Sequence, residues 1–304
     1  MYDIIIIGGG PAGLTAGIYA GRAKLKTLII EQLATGGQAA TADLIENYPG
    51  ALAGSTGPDL SDRMEEQAKS FGCEFIMAEV TGVDFSGKEK IVHTSEHEFK
   101  GKAVIIASGA TYRKLGCPGE EEFTGRGVSF CATCDAAFFE DLPVAVVGGG
   151  DSAISAAIYL TKFASRVYVI HRRDALRATK VVQDKAFANP KIEIVWDSVV
   201  HEIIGSDTVE TVRVKNVKTG KLSDLPVDGV FMYVGLIPNT KFLTGQINLD
   251  PQNYVPVTAN METNVPGVFA VGDVTAKLLR QVVTAVGDGA TAAFAAEKYI
   301  EDNF

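Results

Sequence analysis

A fold of the α/β class, built on two parallel-sheet units, is predicted by three observations in this sequence. An apolar run, a glycine-rich loop, a helical stretch and a second apolar run follow one another at the start of the chain, and the same succession returns near its middle. Both loops keep the spacing by which a strand turns tightly into a helix: Gly8-Gly9-Gly10-Pro11-Ala12-Gly13, and Gly148-Gly149-Gly150-Asp151-Ser152-Ala153 with alanine in the last small position. The apolar runs are continuous rather than alternating, as strands covered on both faces require.

Composition bounds the function. At 304 residues the chain exceeds one average domain, and 46% hydrophobic with 21% charged residues is globular. A formal charge of −9 argues against a nucleic-acid footprint, since no block of basic residues stands out beyond His171-Arg172-Arg173. No basic leader precedes the first strand and no apolar run is long enough to span a bilayer, so a soluble, cytoplasmic protein with no membrane partner is expected. Four cysteines are too few for a disulfide framework.

In chain order, residues 4–7 form the first strand, and the loop from Gly8 through Gly10, Pro11, Ala12 and Gly13 opens a helix over 14–22. Such a loop lets a pyrophosphate approach backbone amides at the helix start. The next strand, 27–30, ends in Glu31, where an acidic side chain accepts hydrogen bonds from an adenosine ribose. Gly36-Gly37-Gln38 and Asn47-Tyr48-Pro49-Gly50 lie in a stretch without regular period, either a surface loop or one folded over a ligand. A helix over 57–71 and strands near 74–83, 90–94 and 104–107 follow.

Cys131-Ala132-Thr133-Cys134-Asp135 lies between the two glycine loops. A Cys-x-x-Cys pair brings two sulfurs within disulfide reach when the first opens a helix, whose N-terminus also lowers thiol pKa. The competing readings are a zinc half-site or two inert thiols. Zinc needs further ligands at suitable spacing, and Cys73, Cys117 and the four histidines make no such cluster, so no metal is expected.

The second unit begins with a strand over 143–147, then the loop carrying Gly148, Gly150, Asp151, Ser152 and Ala153, a helix over 154–163 and a strand over 167–170. Where the first unit has Glu31, this one has His171, Arg172 and Arg173, with Arg177 beyond. Guanidinium groups there suit a 2′-phosphate better than a bare ribose, which points to NADPH. Residues 192–197, 199–204 and 209–217 read as an antiparallel meander. Near the end, a strand over 268–271 finishes in Gly272-Asp273, an acid placed to bind a cofactor hydroxyl, and a helix over 282–301 follows.

Over essentially its full length the chain resembles the bacterial low-molecular-weight thioredoxin reductases. The resemblance rests on both glycine loops, Gly36-Gly37-Gln38, the Cys-Ala-Thr-Cys-Asp element, His171-Arg172-Arg173 with Arg177, Gly272-Asp273 and Arg280-Gln281. It implies two Rossmann-like dinucleotide-binding domains: an FAD domain in two segments, 1–113 and 242–304, with an NADPH domain inserted over 114–241. It implies FAD contacts from Gly10, Glu31, Gln38 (beside Gly37), Asn47 and Asp273, with Arg280 and Gln281 along the flavin. By the same route Cys134 faces the flavin, Cys131 attacks the disulfide of a thioredoxin-like partner, Asp135 handles protons, and the protein is a homodimer. The sequence departs from the family at Ala136, where glycine is common, and at Ser155-Ala156, where acids are common.

The implied activity passes electrons from NADPH through FAD and the Cys131/Cys134 dithiol to thioredoxin. Flavin reduction of the disulfide needs it packed on the ring, whereas exchange needs an exposed thiolate, so rotation at the crossings near 113–116 and 239–243 is expected. The alternatives are a same-fold disulfide reductase using another donor such as ferredoxin, and a flavin redox sensor without turnover.

Overall fold

The computed structural model describes residues 1–42, 45 and 47–304, the side chains of Thr133 and Cys134 excepted. The chain runs β1 (Tyr2–Ile7), α1 (Pro11–Arg22), β2 (Thr27–Glu31), α2 (Gly57–Ser70), β3 (Glu74–Met77), β4 (Val80–Asp84), β5 (Lys90–Thr94), β6 (Glu98–Ile106) and β7 (Ala110–Tyr112). It continues through β8 (Val128–Ser129), α3 (Ala132–Asp135), β9 (Pro143–Val147), α4 (Asp151–Leu160), β10 (Arg166–Ile170), α5 (Lys180–Phe187) and β11 (Ile192–Val195). Then come β12 (Ser198–Gly205), β13 (Val209–Asn216), β14 (Leu222–Pro226), β15 (Gly229–Met232), β16 (Leu236–Pro238), β17 (Val268–Ala270) and α6 (Val282–Asn303).

The chain folds as two compact units, Met1–Thr111 with Ile237–Phe304, and Tyr112–Leu236 between them. The first holds a sheet in the order β3-β2-β1-β6-β5-β4, with β17 also on β6. Its β1, β2, β3, β6 and β17 are parallel, and β4 and β5 are antiparallel additions. Ile4 and Ile6 enter the core under α1, α2 and α6, while Ile5 and Ile7 enter the core on the opposite face. Both faces are covered, which is why the strand reads as an unbroken isoleucine run, each side chain contributing about 1.5–3 kcal/mol. Within this unit the returning chain is fastened to the end of β6: Asn239 N donates to Gly109 O at 3.0 Å, its Nδ2 to Ser108 O at 2.8 Å, and Ser108 Oγ to Asn239 O at 2.8 Å.

The inserted unit has an all-parallel sheet, β11-β10-β9-β15-β8. Val144 and Val146 face the core beneath α4 and α5, and Ala145 and Val147 face the core shared with the antiparallel sheet β12-β13-β14. The antiparallel meander expected over 192–197, 199–204 and 209–217 does not form as such. Residues 192–195 belong to the parallel sheet, reached from β10 through α5, and the antiparallel sheet instead gains residues 222–226. A helix of only 8 residues with mixed polarity leaves little periodic signal, so the crossover that makes β11 parallel went unseen. Similarly, 74–83 is two strands, β3 parallel and β4 antiparallel, rather than one. Among the described residues no helix is long and apolar enough to cross a membrane.

Candidate active site

In the first unit, the loop after β1 is shaped by absent side chains. Gly8 has φ +109° and a Cβ there would lie 2.3 Å from Ala107 O; one on Gly13 would lie 1.9 Å from Gly8 O. A Cβ on Gly10 would meet nothing within 4 Å. The loop is therefore packed tightly from behind and open in front, the cradle a pyrophosphate needs. Pro11 occupies the first turn of α1, and no side chain caps that turn. Ala12 receives α6 from above, since a Cβ on Gly289 would stand 2.1 Å from its carbonyl oxygen.

Glu31 ends β2 with Oε2 accepting from Gly9 N at 2.6 Å and Oε1 from Gln32 N at 2.8 Å. The carboxylate is thus fixed at the rim of the loop. Gly36 and Gly37, both at positive φ, turn the chain back over it, Gly36 N donating to Gly9 O at 2.8 Å. Gln38 Nε2 donates to Ala110 O at 3.1 Å, and Asn47 Nδ2 donates to Gln281 Oε1 at 2.9 Å. Gly272, at φ +72°, and Asp273 follow β17. Burial pushes the Asp273 carboxyl above the ordinary aspartate value, against the pull of Arg280 and Lys277. Arg280 reaches Asp273 O at 3.4 Å and Thr275 O at 3.3 Å, with its guanidinium 4.2 Å from the Tyr254 ring centroid. Asp288, overlooked in the sequence, accepts from Gly272 N at 2.8 Å and pairs with Lys277, so it holds the Gly272-Asp273 turn. A lone carboxylate in an apolar stretch of α6 was the signal available for it.

The loop of the inserted unit repeats the first. Gly148 has φ +148°, with Tyr233 O and the Ala153 side chain filling the space behind it, while a Cβ on Gly150 would meet nothing within 4 Å. Asp151 and Ser152 start α4 on its exposed side. Asp151 Oδ1 accepts from Thr179 N and Thr179 Oγ1, each at 2.8 Å, and these bonds hold its carboxyl below the ordinary range. Arg177 N donates to Gly149 O at 2.7 Å, tying the loop to the arginine segment. Arg172, Arg173 and Arg177 are exposed. His171 differs from them: it is 4% exposed, a Cβ on Gly149 would lie 2.3 Å from its Nδ1, and its Nε2 is 3.0 Å from Ala175 O. Burial, with three arginines nearby, keeps it neutral by lowering its pKa. It supports the loop from below rather than presenting a charge to a phosphate. Ala156 is buried at 7% in the core of this unit, where an acid would have been desolvated, while Ser155 is exposed.

Cys131 is disulfide-bonded, whereas Cys73 and Cys117 are free, each pushed up to about 11 by burial. The Cys134 side chain lies outside the described residues. Helix α3, which Cys131 immediately precedes, is a single turn of 4 residues continued by a 3-10 turn, so it offers far less dipole than the helix expected from the sequence. Hydrogen bonds orient the segment instead. Cys131 N donates to Ser129 Oγ at 3.0 Å, Asp135 N to Cys131 O at 3.2 Å, and Ala132 N to Tyr233 Oη at 3.0 Å. Tyr233, also overlooked, links the dithiol segment to the glycine loop, because its N–H pairs with Val147 O at 2.8 Å. Burial first, then the nearby Tyr112 and Asp135, push its phenol up to about 12, so it stays protonated. Asp135 is half-buried beside it.

Comparison with known proteins follows the same lines. A family model described as pyridine nucleotide-disulphide oxidoreductase matches residues 2–289. A thioredoxin reductase of Peptoclostridium acidaminophilum is 51% identical over 310 residues, spanning 100% of this chain and 98% of that one. The crystal structure of Lactococcus lactis thioredoxin reductase in its FR conformation superposes with a TM-score of 0.94 at 46% identity, covering 99% of this chain and 100% of that one. A ferredoxin-flavin thioredoxin reductase from Clostridium acetobutylicum is similar at 31% identity and a TM-score of 0.54, covering 99% and 98%.

Proposed function

The chain belongs to the pyridine nucleotide-disulphide oxidoreductase family and, within it, to the thioredoxin reductases, and from that premise we propose that it reduces the disulfide of a thioredoxin-like protein with NADPH, through FAD and the Cys131/Cys134 dithiol. The observation that carries the proposal is Cys131: a disulfide-bonded cysteine between the two glycine loops, in a chain whose Cys73 and Cys117 are held as inert thiols. Bound FAD would accept two electrons from NADPH and hand them to the disulfide.

The chain's own residues do the rest. The open face at Gly10 receives the FAD pyrophosphate, Glu31 the adenosine ribose and Asp273 the ribitol side, with Gln38, Asn47, Arg280 and Gln281 toward the flavin. Gly150 receives the NADPH pyrophosphate and Arg172, Arg173 and Arg177 its 2′-phosphate. These exposed cations favour NADPH over ferredoxin as the donor.

Once reduced, the Cys131 thiolate attacks the partner disulfide and forms a mixed disulfide, and the leaving thiolate takes a proton from solvent, with Asp135 placed to relay it. Cys134 then attacks Cys131, releasing the second partner thiol and restoring the internal disulfide. Reduction at the flavin and exchange with a protein make opposite demands on the dithiol. The chemistry therefore requires two arrangements, exchanged at the crossings near 113–116 and 239–243. A cytoplasmic homodimer is the form in which we expect it to act. The test is NADPH oxidation by purified protein with and without a thioredoxin disulfide: turnover that depends on thioredoxin supports the proposal, and turnover indifferent to it refutes it.

A further inference from the structure

The arginine segment contains an anion. Asp174 follows Arg172 and Arg173 directly and precedes Arg177, so a carboxylate stands among the cations assigned to the 2′-phosphate. Left free, it would compete with the phosphate for the same guanidinium groups.

The structure gives Asp174 another partner. Lys218 Nζ lies 3.1 Å from Asp174 Oδ2 and 2.9 Å from Asp197 Oδ2. Lys218 is set in the β13–β14 turn, where Asn216 Oδ1 accepts from Lys218 N at 3.1 Å and Thr219 N at 2.9 Å. The turn is itself joined to the arginine segment through Asp197, a residue at φ +50°. Val217 N donates to Asp197 O at 2.6 Å, and Asp197 N donates to Arg173 O at 3.3 Å. Arg172, Arg173 and Arg177 are exposed, and among the described residues none of them has an ion-pair partner.

We propose that Lys218 is a specificity-determining positioning residue: it draws the Asp174 carboxylate away from Arg172, Arg173 and Arg177 and leaves them open to the 2′-phosphate of NADPH. It touches no reacting atom and acts through Asp174. As a stabilising contact an exposed pair of this kind is worth little. Its effect on selectivity is separate, because releasing Asp174 changes the net charge that the phosphate meets. NADH, the dinucleotide without that phosphate, is indifferent to the change.

This inference rests on the NADPH reading above, and the experiment separates the two. Steady-state KM values for NADPH and NADH are measured at one low ionic strength for wild type, Lys218→Met, Asp174→Asn and the double variant. Lys218→Met should raise the KM for NADPH roughly three- to tenfold, an exposed charge–charge effect, with kcat and the KM for NADH changed less than about twofold. Asp174→Asn should leave the KM for NADPH equal or lower, and the double variant should return to within about twofold of wild type. An unchanged KM in Lys218→Met overturns the proposal. So does an equal rise in the Asp174→Asn background, which would make Lys218 a direct phosphate contact, or an equal rise for both nucleotides, which would make it a prop for the hairpin. Wild type without preference for NADPH overturns the nucleotide assignment and this inference together, whereas preference with a flat cycle overturns this inference alone.

Discussion

Asn47 Nδ2 donates a 2.9 Å hydrogen bond to Gln281 Oε1, joining residues 234 apart within the first unit. Gln281 immediately precedes α6, and its N–H donates to Thr284 Oγ1 at 3.2 Å, so the bond links the loop that carries Asn47 to the start of a packed helix. Asn47→Ala or Gln281→Ala should therefore loosen the same contact. Each should raise the FAD dissociation constant by about tenfold, and the double variant little further, as expected for one shared hydrogen bond of about 1 kcal/mol plus its desolvation cost. Equilibrium dialysis of FAD from the four proteins measures it.

Arg172→Ala with Arg177→Ala should raise the KM for NADPH by about tenfold to hundredfold and barely change that for NADH, since charge-assisted phosphate contacts are worth roughly 1.5–3 kcal/mol each before desolvation. Kinetics with both nucleotides at one ionic strength decide it.

Tyr233→Phe removes the acceptor of the Ala132 amide, and Ala132 is 2% exposed, so the N–H is left without a partner at a cost of about 1–3 kcal/mol. Turnover with thioredoxin should fall about five- to thirtyfold while anaerobic flavin reduction by NADPH stays within about twofold. Stopped-flow absorbance separates the two steps. An equal loss in both would make Tyr233 a general stabiliser instead.

Asp273 carries the clearest pH consequence. Its folded pKa lies above the ordinary 3.8, so the folded state resists losing that proton and the group opposes folding increasingly as pH rises through the folded value. Asp273→Asn should thus raise the melting temperature of the FAD-free protein near pH 7. The gain should shrink as pH falls through the folded pKa and vanish below about 3.8. The same variant should retain FAD less well, a trade of stability against binding. Thermal melts across pH, with and without FAD, test both halves.

What could be read in the sequence was whatever is encoded over short spans. The loops at Gly8 and Gly148 announce themselves because the strand, turn and helix that need them are adjacent in the chain. Cys131 and Cys134 stand out by spacing, and the arginines by their place at the end of β10. Residues that act by long-range contact stayed hidden. Tyr233 reaches Ala132 across 101 residues, Asp288 reaches Gly272 from a different element, and nothing local marks either. His171 was read with the arginines because it adjoins them, yet one residue along an extended chain points to the other side, and there it meets Gly149. The parallel pairing of β11 was lost with α5, since the direction of a strand is set by the connection before it.

The central claim is that electrons leave the flavin only through the dithiol. The direct measurement is anaerobic flavin absorbance in wild type, Cys131→Ser and Cys134→Ser, first on adding NADPH and then on adding oxidised thioredoxin. All three should begin yellow with about one FAD per chain and bleach with NADPH, because nucleotide oxidation precedes thiol chemistry. Only wild type should recover its colour with thioredoxin, and only the Cys134 variant should trap it as a mixed disulfide. Colour that returns in either variant at the wild-type rate would contradict the claim.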